Sequence, residues 1–344
     1  MNHIQIETSS IMSIAEGIRN GNLTSKDLAE WTIANRKNRG STLNAYKTWK
    51  PEQQLSESAA ADAVFLSGID LGPLQGIPVS VKDLYGVKGY PTFAGCSREL
   101  PEKWQAEGPV IRSLRKQLAV VSGKTHTVQF AFGALGTNAH WGTPRNPWDD
   151  KNHRVPGGSS AGAGVSLWEG SALLALGSDT AGSVRMPASF TGTVGLKTSR
   201  GRWSTEGIVP LSTTLDTAGP LTRTVEDAVL AFSVIDPKIS DQAGRFREGL
   251  NRASASDFHV GICDWYFDSC DPGISEGVKS ALDELSASGL KVSSIRCGEI
   301  EEAVELFKRG GLAAPEFASF INNEMADFRN DLDPNVSARF EKME

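Results

Sequence analysis

Short apolar runs, most of them beside glycine, alternate along this chain with helical patterns, and this alternation constrains the fold. GIPVSVKDLYGV (76–87) is a β-branched run bounded by glycines, which is typical of a buried strand. Further candidate strands are LAVVSGK (118–124), ALLALGSD (172–179), VGLKTS (194–199), FHVGICD (258–264) and LKVSSIRC (290–297). Candidate helices lie at residues 10–21, 24–37, 108–117, 160–170, 222–235 and 273–289. This order predicts an α/β fold with a largely buried mixed sheet.

The composition is that of a globular protein with enough residues to bury a core. Of its 344 residues, 39% are hydrophobic and 22% are charged. The net charge of −6 argues against a nucleic-acid partner, because no basic excess is available to neutralise phosphates. The N-terminal sequence lacks a signal-peptide pattern, and no apolar run is long enough to cross a membrane. The four scattered cysteines favour a reducing compartment, so we expect a cytoplasmic location.

The polar segment DPKISDQAGRFREG (236–249) is predicted as a loop or an insertion. It does not divide the chain convincingly, and we see neither internal repeats nor a low-complexity linker. The sequence therefore predicts one domain.

Some common functional motifs are incomplete in this chain. GKT at 123–125 lacks the glycine that a phosphate-binding loop needs at position 118, which is Leu118. The five histidines form no i, i+4 pair, so no metal site is favoured. The residues around Ser160 satisfy the GxSxG pattern of a nucleophile elbow, but the segment before them is polar and contains Pro156, which is unusual in a central strand. The elbow is therefore kept as a minor alternative.

A second stretch of small residues, LGSDTAGSVRMPAS (176–189), follows an apolar strand. Backbone N–H groups in such a turn can converge on an anion, and Ser183 at its end is placed to attack a carbonyl group. A serine nucleophile needs a base, and Lys82 in the apolar strand PVSVKDL can serve if burial keeps its amine neutral. The alternative is a salt bridge from Lys82 to Asp83 or another carboxylate, and spacing alone favours neither.

With these features in place, the chain resembles the amidase signature family over nearly its whole length. The motifs that carry the resemblance are LNAYKTW, LQGIPVSVKDLYGVKGYPT, GKTHTVQFAFG, TPRNPWD, RVPGGSSAGAG, LGSDTAGSVRMPASFTGTVGLKTSRG and LDTAGPLTRTVEDA. The resemblance implies a single large domain with a central mixed, mostly parallel β-sheet covered by helices. Relatives usually continue beyond the final ARFEKME, so we expect residues 1–344 to be an amidase signature domain that lacks its C-terminal part.

The resemblance also assigns roles to residues of the two small-residue stretches and to the lysine. It implies a Ser–cis-Ser–Lys triad of Ser183 as nucleophile, Ser159 as proton relay and Lys82 as base, with a cis peptide bond before Ser159. The implied oxyanion hole consists of the backbone N–H groups of Thr180, Ala181, Gly182 and Ser183. Supporting hydrogen bonds are implied for Ser160, Asp179 and Arg185. Ala181 replaces a glycine that is common in the family.

The reaction implied is hydrolysis of a carboxamide through an acyl-enzyme on Ser183, without a metal or organic cofactor. The expected partner is a small-molecule amide, and a homodimer is a family-level expectation. One alternative is the glutaminase subunit of a tRNA-dependent amidotransferase. Another is a non-catalytic relative, which the presence of all three triad residues disfavours.

Overall fold

The computed structural model describes residues 5–268 and 270–340. Contacts divide the chain into two compact units. The first unit comprises the residues up to 243 together with those from 312, and the second comprises residues 244–311. The single amidase signature domain over residues 1–344 stays a prediction.

The strands form one sheet in each unit. They are β1 (Tyr46–Trp49), β2 (Pro78–Lys82), β3 (Val120–Thr125), β4 (Leu174–Asp179), β5 (Val194–Gly195), β6 (Thr217–Thr222), β7 (His259–Ile262) and β8 (Lys291–Ser294). The first unit has a six-stranded sheet in the order β1-β3-β2-β4-β6-β5. At its centre β2 is parallel to both β3 and β4, and the outer pairs are antiparallel. The second unit has the parallel pair β7–β8.

Helices occupy much of the chain between the strands. They are α1 (Ile11–Arg19), α2 (Ser25–Leu43), α3 (Pro51–Leu66), α4 (Pro109–Lys116), α5 (Ala163–Glu169), α6 (Arg185–Thr191), α7 (Val225–Ile235), α8 (Ala243–Leu250), α9 (Trp265–Asp268), α10 (Pro272–Ala287), α11 (Gly298–Lys308), α12 (Ala313–Glu324) and α13 (Pro334–Phe340). Short 3₁₀ helices lie at Glu102–Trp104, Gln129–Ala131, Ser240–Gln242, Ala255–Asp257 and Ala326–Asp331.

Polar side chains fix the starts of several helices in the first unit. Thr24 and Asp27 form a capping box at α2. Thr224 caps α7 by accepting the Asp227 N–H, and the Asp227 carboxylate accepts the Ile11 N–H at 2.7 Å, where α1 begins. One carboxylate therefore connects the N-termini of two helices that are far apart in sequence.

The main core of the first unit surrounds the central strands. Every residue of β2, β3 and β4 is buried, as expected for strands covered on both faces. Phe317 and Phe320 of α12 pack against Phe130, with ring centroids 5.7 and 6.0 Å away. Because the parallel strands β2 and β4 end at the same edge of the sheet, Lys82 and Asp179 are brought to one place.

The predicted fold class is confirmed, but one sequence prediction about the chain beyond the central sheet is wrong. Residues 236–249 are not a loop throughout, because they contain the 3₁₀ helix at Ser240–Gln242 and most of α8. No residue of α8 is buried. Its eight residues include two glycines and follow the proline-containing start of the segment, a composition that favours a loop over a helix.

Candidate active site

Lys82 lies at the end of β2 with its side chain fully buried. Its Nζ donates hydrogen bonds to the Ser159 Oγ at 2.7 Å and to the Ser178 Oγ at 2.9 Å. A longer bond of 3.4 Å reaches the Ser178 carbonyl oxygen. The predicted base and the predicted relay serine are therefore in direct contact.

The amine of Lys82 is surrounded by neutral groups rather than by a paired carboxylate. Burial lowers the pKa of Lys82 to about 7, and the more distant charges of Asp216 and Asp179 oppose this shift. Asp83, the partner considered from the sequence, is instead 3.0 Å from Lys124, and both side chains are buried. Within the part of the chain that the structure describes, Lys82 forms no ion pair, so the salt bridge to Asp83 is wrong.

Ser159 is held in a tightly packed backbone. The Gly158–Ser159 peptide bond is cis, and the Ser159 carbonyl accepts the Val128 N–H at 3.1 Å. A Cβ atom at position 158 would lie 2.5 Å from the backbone nitrogen of Gly136, so only glycine fits there. The close approach of these backbones places the Ser159 hydroxyl beside Lys82.

Ser160 connects this loop to Ser183. Its hydroxyl donates to the Ser183 carbonyl oxygen at 2.5 Å, and its backbone N–H reaches the same oxygen at 3.3 Å. The residues just before Ser160 do not form a strand. The nucleophile elbow, which needs a strand there, is therefore not the structure observed.

Ser183 lies in the turn between β4 and α6 and is 6% exposed. Over residues 5–268 and 270–340 its hydroxyl makes no hydrogen bond, either to Ser159 or to another group. Lys82 is therefore hydrogen-bonded to Ser159 directly. Ser183 is connected to this pair through its own carbonyl oxygen, which accepts hydrogen bonds from Ser160, the residue that follows Ser159. The unbonded hydroxyl leaves Ser183 available to react.

The carboxylate of Asp179 organises the turn that leads to Ser183. It accepts the N–H groups of Gly182 at 2.7 Å and Val184 at 3.1 Å, and Arg185 donates to both of its oxygens, at 3.0 and 3.1 Å. Burial alone would raise the pKa of Asp179, but these hydrogen bonds outweigh it and lower the pKa. The contacts place Asp179 and Arg185 at this turn, and their supporting role in the site stays a prediction.

The backbone donors of the same turn are not equivalent. The Gly182 N–H is already bonded to Asp179, and Gly182 has a φ of +119°, which favours glycine. The N–H groups of Ala181 and Ser183 have no hydrogen-bond partner among the described residues. The Thr180 N–H likewise has no hydrogen-bond partner among the described residues, so Gly182 is the one residue of 180–183 whose N–H is bonded there.

Sequence reasoning missed two polar residues of the site. Ser178 precedes Asp179 in β4 and was visible only as part of a small-residue run. Asp216 accepts a 2.5 Å hydrogen bond from the Thr180 hydroxyl, although it is far from Thr180 in sequence. No local pattern connects them, because the contact exists only once β4 pairs with β6.

In the described chain, no group of three or more His, Cys, Asp or Glu residues is arranged to hold a metal ion. No helix among the same residues is both long and apolar enough to cross a membrane.

The site thus combines a buried lysine that contacts a serine with a second serine whose hydroxyl makes no hydrogen bond among the described residues. Residues 27–343 match the model of the family described as Amidase. The chain therefore belongs to the amidase family, as the sequence motifs predict.

Relatives and a solved structure agree with this assignment. The 2-amino-5-chloromuconic acid deaminase of Comamonas testosteroni is 51% identical over 334 residues, which cover 96% of this chain and 71% of that protein. A glutamyl-tRNA(Gln) amidotransferase subunit of Gloeobacter violaceus is 37% identical over 264 residues, which cover 74% of this chain and 53% of that protein. A solved amidase structure superposes with a TM-score of 0.86 at 29% identity, covering 97% of this chain and 74% of that one. Because the amidotransferase protein is the more distant relative, the hydrolase is favoured over the glutaminase subunit.

Proposed function

We propose that this chain hydrolyses the C–N bond of a small carboxamide through an acyl-enzyme on Ser183. The observation that carries the proposal is the 2.7 Å hydrogen bond from Lys82 to Ser159 in a fully buried site. With its pKa lowered to about 7, Lys82 is neutral in a large fraction of molecules at neutral pH. A neutral amine can accept a proton, which an ordinary lysine at that pH cannot.

In the proposed reaction, the Ser183 Oγ attacks the amide carbonyl carbon while its proton passes through the Ser159 hydroxyl to Lys82. The oxyanion that forms binds the N–H groups of Ala181 and Ser183. Thr180 and Gly182 complete the proposed oxyanion hole, and the Gly182 N–H is shared with Asp179. The C–N bond then breaks, and the proton on Lys82 returns to the leaving nitrogen through Ser159.

The acyl-enzyme is released by water. The same relay takes a proton from the water as its oxygen attacks the ester carbonyl, and Ser183 regains its proton when the ester bond breaks. The products are a carboxylic acid and ammonia or an amine. The proposed chemistry uses only groups of this chain and water, without a cofactor.

The relative from Comamonas suggests which leaving group to test first. That protein is named as a deaminase of 2-amino-5-chloromuconic acid. Replacing an amino group by the oxygen of water releases ammonia, as hydrolysis of a primary carboxamide does. We therefore propose ammonia as the nitrogen product here and include amino-substituted muconic acids among the substrates to test.

We also propose a cytoplasmic location and a homodimer. The four cysteines are all free thiols, which is consistent with a reducing compartment. The homodimer follows only from the family resemblance.

The experiment is a screen for ammonia release from primary carboxamides and 2-aminomuconic acid, with glutamine as a separate arm. Ser183→Ala should lower turnover of any active substrate by about a thousandfold or more without lowering the unfolding temperature. Glutamine as the sole active substrate would favour the glutaminase subunit. Turnover near that of the unaltered protein in Ser183→Ala would refute Ser183 as nucleophile.

A serine-directed sulfonyl fluoride distinguishes the serines of the site. Mass spectrometry of the labelled peptide should locate the label on Ser183 and not on Ser159 or Ser160. A label on Ser160 would indicate that Ser160 is the nucleophile, as the nucleophile-elbow alternative predicts. A folded protein that neither turns over a substrate nor reacts with the probe would be the non-catalytic relative.

A further inference from the structure

The carboxylate of Asp216 is bonded on both of its oxygens, immediately before β6. Its Oδ1 accepts the Thr180 hydroxyl at 2.5 Å. Its Oδ2 accepts the backbone N–H groups of Leu211 at 2.9 Å and Ser212 at 3.1 Å. Asp216 therefore joins the turn of residues 180–183 to the loop of residues 211–216.

That loop is itself fixed to a core helix. Glu316 of α12 accepts the Ser212 hydroxyl at 2.5 Å and the Thr214 N–H at 3.1 Å, and it also accepts the Thr214 hydroxyl. The next residue of α12, Phe317, is fully buried in the main core. The contacts thus run from the core helix through the loop and Asp216 to Thr180.

Asp216 also differs from the other carboxylate that acts on Lys82. Asp179 is paired with the guanidinium of Arg185, whereas Asp216 makes no ion pair within the described ranges. The charges of both carboxylates oppose the lowering of the Lys82 pKa by burial. Other charged residues near this loop are Glu316, on the far side of Ser212, and Arg200, which donates to the Thr214 carbonyl oxygen at 3.2 Å. Arg202 and Lys238 line the same cavity as Thr214 and Asp216, and Arg202 is paired with Asp236.

We propose that Asp216 is a positioning residue of the hydrolytic site, which holds the turn of residues 180–183 through the Thr180 hydroxyl and stabilises Lys82 once it has taken up the serine proton. The inference rests on the proposed function, because both effects act on the attack by Ser183. Lys82 must be neutral before the attack and charged after it. A buried ammonium forms more readily when a carboxylate without its own cation lies nearby.

The test measures the labelling of Ser183 by phenylmethanesulfonyl fluoride between pH 5.5 and 9, using intact-mass spectrometry. In this step the Ser183 Oγ bonds to sulfur, fluoride leaves, and the hydroxyl proton passes to Lys82 and then to water. The variants are Asp216→Asn, Thr180→Val and the conservative Thr180→Ser. Asp227→Asn is the matched control, because Asp227 is another carboxylate that accepts a backbone N–H, at the start of α1, and it is at least as buried as Asp216.

Asp216→Asn should lower the plateau rate of labelling at least about tenfold, because the turn loses its anchor. It should also move the midpoint of the pH profile to lower pH, because removing the negative charge favours the neutral amine of Lys82. Thr180→Val should lower the plateau without moving the midpoint, and Thr180→Ser should restore the plateau. Asp227→Asn should change neither.

The proposal would be overturned if folded Asp216→Asn kept the pH midpoint of the unaltered protein. A merely structural role of Asp216 predicts an unchanged midpoint, with or without a lower unfolding temperature. If Asp216→Asn does not fold, a plateau in Thr180→Val equal to that of the unaltered protein would overturn it instead. A failure of the proposed function is distinguishable, because the unaltered protein would then not be labelled on Ser183 at all.

Discussion

Replacing Lys82 by methionine should change the free energy of unfolding by an amount that depends strongly on pH. Lys82 is fully buried, and its pKa in the folded protein is about 7 instead of 10.5. The unfolded chain therefore binds more protons at this position than the folded chain between pH 7 and 10.5. In that window the stability of the unaltered protein rises with pH. The reason is that Lys82 also loses its proton in the unfolded chain, so the free-energy cost of holding it uncharged in the folded state disappears.

The size of the effect follows from the two pKa values. With 10.5 in the unfolded chain and about 7 in the folded chain, keeping Lys82 buried costs about 4 kcal/mol at pH 7 and about 1 kcal/mol at pH 10. Methionine has a similar length and no charge, so Lys82→Met removes this cost. The hydrogen bonds lost to Ser159 and Ser178 cost about 1–3 kcal/mol for each unsatisfied group, equally at every pH. The variant should therefore lose about 3 kcal/mol of stability relative to the unaltered protein as the pH rises from 7 to 10.

The assay is guanidinium denaturation of both proteins at pH 7, 8, 9 and 10, followed by tryptophan fluorescence. Comparing the two proteins at each pH cancels the titration of all other groups. Lys124→Met is the control, because Lys124 is equally buried but pairs with Asp83 at 3.0 Å. Its removal leaves a buried carboxylate without a cation and should destabilise the protein by about 3–5 kcal/mol at pH 7.

A difference between Lys82→Met and the unaltered protein that stays constant from pH 7 to 10 would refute the reasoning. It would mean that Lys82 keeps its proton in the folded state across this range. A permanently charged Lys82 could not accept the proton of Ser159, and the proposed mechanism would lose its base.

Two further substitutions test the same site. Lys82→Arg should abolish the pH dependence of Ser183 labelling between pH 6 and 9 and lower its rate, because a guanidinium is not deprotonated there. A profile identical to that of the unaltered protein would contradict the role of Lys82. Asp179→Asn should lower the free energy of unfolding by about 2–4 kcal/mol, because Gly182, Val184 and Arg185 lose a charged acceptor. Thermal denaturation with an unchanged midpoint would show that these bonds do not stabilise the turn.

The central strands could be predicted from the sequence because burial and chain pattern coincide there. The candidate runs at 76–87, 118–124 and 172–179 contain β2, all of β3 except Thr125, and β4. Each is covered on both faces, so its residues must be apolar or small almost without interruption. Glycines flank the run that contains β2, whereas Gly123 and Gly177 lie inside β3 and β4.

Other elements carry a weaker local pattern. β6 (Thr217–Thr222) was not predicted, since TAGPLT contains glycine and proline and does not read as a strand. Its residues 217–221 pair with β4, and Pro220 lies opposite Leu176. The prediction of a strand at 194–199 is realised only by the two residues of β5. In both places long-range pairing decides the structure, and no local propensity reports it.

The residues of the site also differ in how strongly the local sequence indicates them. Lys82, Ser159 and Ser183 lie in distinctive motifs, so the sequence identified them, and the structure brings Lys82 and Ser159 into contact. Ser178 and Asp216 are ordinary residues locally and become part of the site only when β4 meets its neighbours. The sequence could not decide whether Lys82 was paired with Asp83, because the decision depends on Lys124 of the adjacent strand.

The comparison of these two buried lysines also explains why Lys82 points to function. Lys124 and Lys82 lie on neighbouring parallel strands, near each other in register and equally excluded from solvent. Lys124 has the arrangement that a structural lysine needs, with the Asp83 carboxylate 3.0 Å away. Among the described residues, Lys82 has only the hydroxyls of Ser159 and Ser178 at that distance, which do not compensate a charge. The same core can therefore supply a buried lysine with a carboxylate and does not do so at position 82. At neutral pH this costs about 4 kcal/mol, and methionine would avoid that cost. The proposed reaction, which needs a neutral amine, would use a lysine held at this cost.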